Sequence, residues 1–193
     1  MEVAKRINEY YTYSDYCTWE EDERWELIDG VPYAMAPAPS LGHQDVSGEL
    51  FHQIRSFLES NPCRVFIAPV DVRLNADDAD DTVVQPDILV VCDESKFEKN
   101  GKGIIGAPDF IAEVISPSTA IRDWVVKREL YEKYGVKEYW IIDLRNSLLV
   151  VNILEDGKYV SKSYKEEDTT TTIPIEVLEG CMIDLSKVFD RVV

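Results

Sequence analysis

The chain has 193 residues, 45% of them apolar and 30% charged, and its formal net charge is −17. This length predicts a single domain over residues 1–193. The absence of a signal-peptide apolar region, and of a run of roughly 20 apolar residues, predicts a cytoplasmic protein outside the membrane. The acidic excess argues against tight, unaided binding of nucleic acid, because phosphates are usually neutralised by clustered lysine and arginine.

The N-terminal half carries signals for a hairpin, a helix and two strands. Asp29-Gly30 lies between two apolar runs, which predicts a hairpin turn. Apolar side chains at helical spacing predict an amphipathic helix from about residue 41 to 59. Val70, Val72 and Leu74 alternate with Asp71 and Arg73, which predicts one half-buried strand over 65–74, and a second strand follows over 83–92.

The C-terminal half predicts further strands around one more helix. We expect the glycine-containing segment 96–108 to be a loop. The other expected elements are a strand over 109–115, a turn and N-cap at 116–119, a helix ending near 134 with Gly135 at C′, a strand over 138–143, a hairpin of 148–154 and 159–164, a strand or loop edge at 169–172 and a short helix over 184–189. The order strand, strand, helix, strand indicates a sheet with a crossover, hence an α/β or α+β fold.

The four cysteines are scattered along the chain. Cys17, Cys63, Cys92 and Cys181 form no C-x-x-C pair. We therefore expect reduced thiols rather than a disulfide framework or a zinc site.

Two carboxylates stand inside apolar strands, where an ionised acid is costly unless a charge or a metal compensates it. Asp87 follows Pro86 and leads into an apolar strand, and Glu113 lies in the middle of the next one. If both face one cleft, they can converge on Mg²⁺, which prefers oxygen ligands. Lys127, on the following helix, can hold a nucleophilic water. This arrangement indicates hydrolysis of a phosphodiester.

Each of these residues also has a purely structural interpretation. Asp87 can cap the entry to its strand. Lys127 lies four residues after Asp123, and such a pair is most often a surface salt bridge. His43, near the start of the first helix, is more often a surface or capping residue than a ligand. Glu113 is the hardest to explain in this way, since carboxylates in mid-strand seldom lack a partner.

A longer series of motifs resembles a known family. In chain order the motifs are Glu26-Leu27-Ile28-Asp29-Gly30, His43, Gln85-Pro86-Asp87, Ala107-Pro108-Asp109, Glu113-Val114-Ile115-Ser116-Pro117-Ser118, Asp123, Lys127, Tyr131 and Gly135-Val136-Lys137-Glu138-Tyr139-Trp140. Over essentially its whole length, the chain resembles the Uma-type "putative restriction endonuclease" family of the PD-(D/E)xK nuclease superfamily. The segment from Ser-Pro-Ser to Gly-Val-Lys-Glu-Tyr-Trp is the specific part of the pattern, whereas the Pro-Asp pair alone is weak.

This resemblance implies a restriction-endonuclease-like α/β fold with a central mixed β-sheet flanked by helices, an N-terminal β-hairpin and extra C-terminal strands. It implies that Asp87 and Glu113 hold Mg²⁺, for which Mn²⁺ can substitute. The superfamily's lysine would stand two residues after the second acid, where this chain has Ile115, so the resemblance gives that role to Lys127. Further polar positions of the family are matched by Glu26, His43 and Asp123.

The predicted function is that of a metal-dependent endonuclease that hydrolyses DNA. We expect a homodimer, because a duplex has two strands to cut. Two alternatives stay open. The first is a catalytically inactive nuclease-fold protein that acts as a binding or assembly module, which Ile115 and the net charge favour. The second is a hydrolase of another phosphate ester. A local basic rim can offset the acidic average, and its candidates are Lys99, Lys102, Arg122, Lys127, Arg128, Lys133 and Lys137.

Overall fold

The computed structural model describes residues 10–19, 24–35, 38–76, 78–115, 122–165 and 172–190, apart from the side chains of residues 122 and 123. The strands are β1 (Trp25–Ile28), β2 (Val31–Ala34), β3 (Arg64–Ile67), β4 (Asp71–Arg73), β5 (Val83–Val84), β6 (Ile88–Val91), β7 (Gly103–Ile105), β8 (Phe110–Ile115), β9 (Glu138–Asp143), β10 (Leu148–Glu155), β11 (Lys158–Lys165), β12 (Thr172–Pro174) and β13 (Met182–Asp184). The helices are α1 (Tyr13–Tyr16), α2 (Leu41–Phe57), α3 (Arg128–Tyr134) and α4 (Leu185–Phe189), with 3₁₀ turns at Leu58–Ser60 and Glu94–Lys96 and a π-helix at Arg122–Lys127 that runs into α3. None of these helices is long and apolar enough to cross a bilayer.

The strands form a central six-stranded sheet and a second, five-stranded sheet. The central sheet has the order β11-β10-β9-β8-β6-β3, and the second sheet has the order β2-β1-β5-β4-β7. In the central sheet β8 and β9 are parallel, whereas β8 and β6 are antiparallel. The connection from β8 to β9 runs through the π-helix and α3, which confirms the predicted crossover and the mixed α/β architecture. A short pair, β12 and β13, follows near the C-terminus.

Each face of the central sheet is covered by its own core. On one face, α2 and α4 share a core with even-numbered residues of β8, including Phe110, Ala112 and Val114. On the opposite face, α3 and the second sheet cover odd-numbered residues such as Ile111 and Ile115. Because side chains alternate along a strand, Glu113 points toward this second core, between the central sheet and α3.

The hairpin and most of the later elements are confirmed. Asp29 and Gly30 have φ values of 47° and 75° at the turn between β1 and β2, as a two-residue hairpin turn of type I′ requires. The predicted long helix, the hairpin of β10 and β11, and the terminal helix are present, and Gly135 ends α3 with φ of 82°. The turn predicted at 116–119 and most of the threonine run at 169–172 lie outside the described residues.

Two predicted strands are each divided between the two sheets. Segment 65–74 forms β3 in the central sheet and β4 in the second, and segment 83–92 forms β5 and β6 in the same way. The breaks fall at Pro69, which follows a cis peptide bond, and at Pro86. Proline has no N–H to donate to a strand ladder. The prediction of two single strands was therefore wrong.

A short strand lies in the segment that was predicted to be a loop. Gly103–Ile105 forms β7, which pairs in parallel with β4, and Phe97 forms an isolated bridge with Ile104. A Cβ atom added at Gly103 would lie 2.8 Å from the Asp71 carbonyl oxygen. The glycine that indicated a loop is instead needed for close pairing with β4, so the prediction of a loop was wrong here.

One pair of cysteines is oxidised. A disulfide joins Cys63 and Cys92, while Cys17 and Cys181 are free. The pairing arises because β3 lies antiparallel to β6 with Arg64 opposite Val91, which brings the residues just beyond the strand ends face to face. The expectation of reduced thiols was wrong for this pair, since spacing along the chain does not reveal contacts across strands.

The C-terminal segment is fixed to the central sheet through a buried acid. Glu138 is fully buried and accepts hydrogen bonds from the Trp140 indole N–H at 2.6 Å and from the Val177 backbone N–H at 3.0 Å. Burial raises the pKa of Glu138 to about 7, because a low-dielectric surrounding disfavours the ionised form.

Candidate active site

The acids at 87 and 113 face each other where β6 meets β8. Ile88 pairs with Ala112, so the next position outward sets Asp87 opposite Glu113, with both side chains on one face of the sheet. The Glu113 Oε2 atom accepts a hydrogen bond from the Asp87 backbone N–H at 3.3 Å. The Asp87 Oδ2 atom accepts one from the Val114 backbone N–H at 2.8 Å. The main chain of each strand therefore holds the carboxylate of the other.

Lys127 brings a positive charge to this pair. Its ammonium donates to Glu113 Oε1 at 2.7 Å and lies 2.8 Å from Glu26 Oε1. Lys127 is 2% exposed, so the interpretation of Lys127 as a surface residue was wrong, and its ammonium does not belong to a basic rim. Lys127 is the last residue of the π-helix, and π-helical turns within helices are frequent at functional sites.

Glu26 completes the group from β1 of the second sheet. Its side chain is fully buried, and its Oε1 atom accepts a hydrogen bond from the Gln85 backbone N–H at 3.0 Å. Gln85 immediately precedes the crossing of the chain from the second sheet to the central sheet at Pro86. The Glu26 carboxylate is therefore held against the connection between β5 and β6, which also carries Asp87.

His43 reaches Asp87 from the first turn of α2. The Ser40 hydroxyl caps this helix by accepting from the His43 backbone N–H at 3.2 Å. The His43 Nε2 atom lies 3.1 Å from Asp87 Oδ2, and the Ser47 hydroxyl lies 3.4 Å from His43 Nδ1. The His43 and Asp87 side chains are 15% and 20% exposed, compared with 6% for Glu113. Solvent therefore reaches the group at its histidine side.

Five of the six predicted site residues thus come together. They are Glu26, His43, Asp87, Glu113 and Lys127. The Asp123 side chain lies outside the described part of the chain. Position 115, where the resemblance places the superfamily's lysine, is occupied by Ile115, whose side chain is buried in the second core. The roles given to these residues stay predictions.

Tyr131 is a member of the group that sequence reasoning missed. Its hydroxyl donates to Glu113 Oε1 at 3.0 Å, whereas the sequence indicated Tyr131 only as a position of the family motif. Tyr131 lies four residues after Lys127, on the same face of the helical segment. That spacing was the available signal, since both side chains then reach the same carboxylate.

A polar network behind Gln85 was also missed. Its side chain accepts from the Arg24 guanidinium at 2.7 Å and donates to Asp71 Oδ1 at 2.9 Å and to the Tyr16 hydroxyl at 3.1 Å. Burial, and then the neighbouring Asp71 carboxylate, raise the pKa of Tyr16, so its hydroxyl stays neutral. Tyr16 and Arg24 are more than 60 residues from Gln85 in the sequence, and nothing in the local pattern connects them.

The charges of the group fit a divalent cation. Glu26, Asp87 and Glu113 contribute three negative charges and Lys127 one positive charge, which leaves −2 when His43 is neutral. Mg²⁺ usually binds proteins through one or two carboxylates and keeps several waters, and Asp87 and Glu113 provide two. Among the described residues, no cluster of three or more histidine, cysteine and acidic side chains is arranged to hold a metal.

The fold is that of a restriction-endonuclease-like protein. The structure is similar to the crystal structure of "a putative nuclease belonging to DUF820" from Anabaena variabilis, with a TM-score of 0.74, 20% sequence identity, and coverage of 95% of this chain and 99% of that chain. The sequence is also 29% identical over 135 residues to "Uncharacterized protein sll1609" of Synechocystis sp., across 68% of this chain and 74% of that protein. The model of the Uma2 family, described as "Putative restriction endonuclease", matches residues 10–186. The chain therefore belongs to the Uma2 family.

Proposed function

We propose that this protein is a metal-dependent endonuclease that hydrolyses phosphodiester bonds in DNA. Membership of the Uma2 family supports a nuclease-type function. The observation that carries the proposal is the convergence of Asp87, Glu113 and Lys127, from two strands and one helix, at a single carboxylate pair. A structural role alone does not require acids directly opposite each other, since like charges in that arrangement destabilise a sheet.

Asp87 and Glu113 would hold the Mg²⁺ ion, for which Mn²⁺ can substitute. When bound, the ion neutralises phosphate charge and lowers the pKa of a water molecule. The Lys127 ammonium would orient the attacking water or offset the negative charge that develops on the phosphate. His43, on the solvent-exposed side, would lie nearest to the incoming DNA strand. We include Asp123 in the proposed site only because it matches a polar position of the family motif.

Because the net charge of the chain is −17, the metal would also be needed for DNA binding. Without a cation, the −2 group would repel a phosphate, so DNA binding should depend on divalent metal and weaken steeply with added salt.

We further propose a cytoplasmic homodimer, because two copies would place one site on each strand of a duplex.

The test is nicking of supercoiled plasmid with Mg²⁺ or Mn²⁺. The wild-type protein should convert supercoiled DNA to open-circular and linear forms, and chelation with EDTA should stop the reaction. Asp87→Ala and Glu113→Ala should each lower the rate by about 100-fold or more, as expected when a group that stabilises the transition state is lost. Glu129→Gln, an exposed acid on α3, should leave the rate unchanged. Normal nicking by both alanine variants would contradict the assignment.

One observation favours a second candidate, a catalytically inactive protein that acts as a binding or assembly module. Lys127 already compensates both Glu26 and Glu113 through an ion pair, so the acidic group can persist without a metal. This candidate predicts that calorimetry detects Mn²⁺ binding while plasmid, single-stranded DNA and small phosphodiesters all stay intact. Cleavage of a small phosphodiester without cleavage of DNA would indicate a hydrolase of another phosphate ester.

A further inference from the structure

Glu26 is a third carboxylate in a group where the proposed metal site uses two. It comes from the second sheet, its side chain is fully buried, and its Oε1 atom contacts the Gln85 backbone amide at 3.0 Å and the Lys127 ammonium at 2.8 Å. Burying an additional carboxylate is unfavourable unless a charge compensates it. The contacts of Glu26 therefore suggest a role exerted on Lys127.

Among the described side chains, two acids contact the Lys127 ammonium at nearly equal distances. It lies 2.8 Å from Glu26 and 2.7 Å from Glu113, and the Glu113 oxygen that it contacts also accepts from the Tyr131 hydroxyl. A metal ion that bound Glu113 would repel an ammonium at the same carboxylate, and this repulsion is strong where water is excluded. With a metal ion on Glu113, the ammonium would lose part of its contact with that carboxylate. Its contact with Glu26 would then hold the ammonium in the site.

We infer that Glu26 is a positioning residue that holds Lys127 in the site while a metal occupies Glu113. This inference rests on the proposed function. Glu26 itself is fixed by the Gln85 amide at the end of β5, so its position does not depend on the metal. In this role Glu26 acts on metal binding through its contact with Lys127 rather than as a ligand.

The test is a double-mutant cycle on Mn²⁺ affinity, measured by titration calorimetry on the full chain without DNA. The four proteins are the wild type, Glu26→Gln, Lys127→Met and the double variant. In the wild-type background, Glu26→Gln should weaken Mn²⁺ binding about tenfold, since the ammonium then relies more on Glu113. In the Lys127→Met background the same change should weaken binding less than about threefold, because no ammonium competes with the metal.

Two controls keep the cycle interpretable. Circular dichroism establishes that each variant is folded, and Lys127→Gln replaces Lys127→Met in the cycle if the methionine variant does not fold. Glu129→Gln removes one exposed negative charge from α3 and should change the affinity less than about twofold, because exposed charges are screened. This control measures the general effect of losing one charge.

The outcomes separate the inference from the proposed function. An equal loss of affinity on Glu26→Gln in both backgrounds would mean that Glu26 acts on the metal directly, and the inference would be overturned. Unchanged affinity in the wild-type background would overturn it as well. If the wild-type protein binds no Mn²⁺, the proposed metal dependence fails first. If the wild type binds Mn²⁺ and the cycle shows no coupling, only the role of Glu26 is lost.

Discussion

Lys127→Met tests how much the buried ammonium contributes to folding. The change leaves two carboxylates, which the ammonium contacts at 2.8 and 2.7 Å, facing an uncharged thioether. The Lys127 side chain is 3% exposed, so water cannot take the place of the lost charge. Removing one partner of a buried ion pair costs about 3–5 kcal/mol. Each kcal/mol lowers the melting temperature of a domain of this size by about 2–4 °C, so we expect a decrease of about 6–20 °C.

Thermal denaturation followed by circular dichroism, without divalent metal, measures this effect. Lys133→Met is the matched control, because Lys133 also pairs with an acid, Asp29, at 3.0 Å, but its side chain is 57% exposed. A solvent-exposed pair contributes at most about 1 kcal/mol. Melting temperatures that agree within about 2 °C for the two variants would refute the reasoning, since burial would then make no difference to the ion pair.

Two further predictions concern pH and the hairpin turn. The folded-state pKa of Glu138, about 7, lies above the ordinary value of 4.5 that it has in the unfolded chain. Its contribution to stability is therefore fully present below pH 4.5 and is lost as pH rises through 7. Urea unfolding at pH 5 and pH 8 should show the wild type losing up to about 3 kcal/mol more than Glu138→Gln, and parallel pH profiles would contradict this. Gly30→Ala should destabilise the protein more than Gly101→Ala by about 1–3 kcal/mol. Both glycines have positive φ, but a Cβ at Gly30 would overlap the Tyr10 ring, whereas a Cβ at Gly101 has no neighbour within 4 Å among the described residues. Equal melting temperatures of the two alanine variants would rule out the overlap.

The sequence predicted the elements whose signals are local. Asp29-Gly30 defines its turn through two adjacent residues, and α2 is defined by apolar side chains on one helical face. Asp87 and Glu113 were predicted as site residues because each places a charge within or beside an apolar strand. Their direct opposition could not be predicted, since it depends on which residues of two strands are paired.

Several features that sequence reasoning missed are set by contacts between distant segments. The disulfide between Cys63 and Cys92 follows from the pairing of β3 with β6. The apolar residues of 65–69 run directly into the alternating residues of 70–74, although the chain changes sheets between them.

Asp87 and Glu113 lie opposite each other only while the pairing of β6 with β8 keeps its register. The pair is therefore sensitive to an insertion next to Asp87 but not to insertions elsewhere in the loops. Because neighbouring residues of a strand point to opposite faces, inserting one residue between Asp87 and Ile88 would turn the carboxylate toward the α2 side of the sheet. Insertions in the acidic stretch before β5, or in the segment between β6 and β7, would leave that registration intact. Homologues can therefore differ widely in those two regions and still present the same pair of acids.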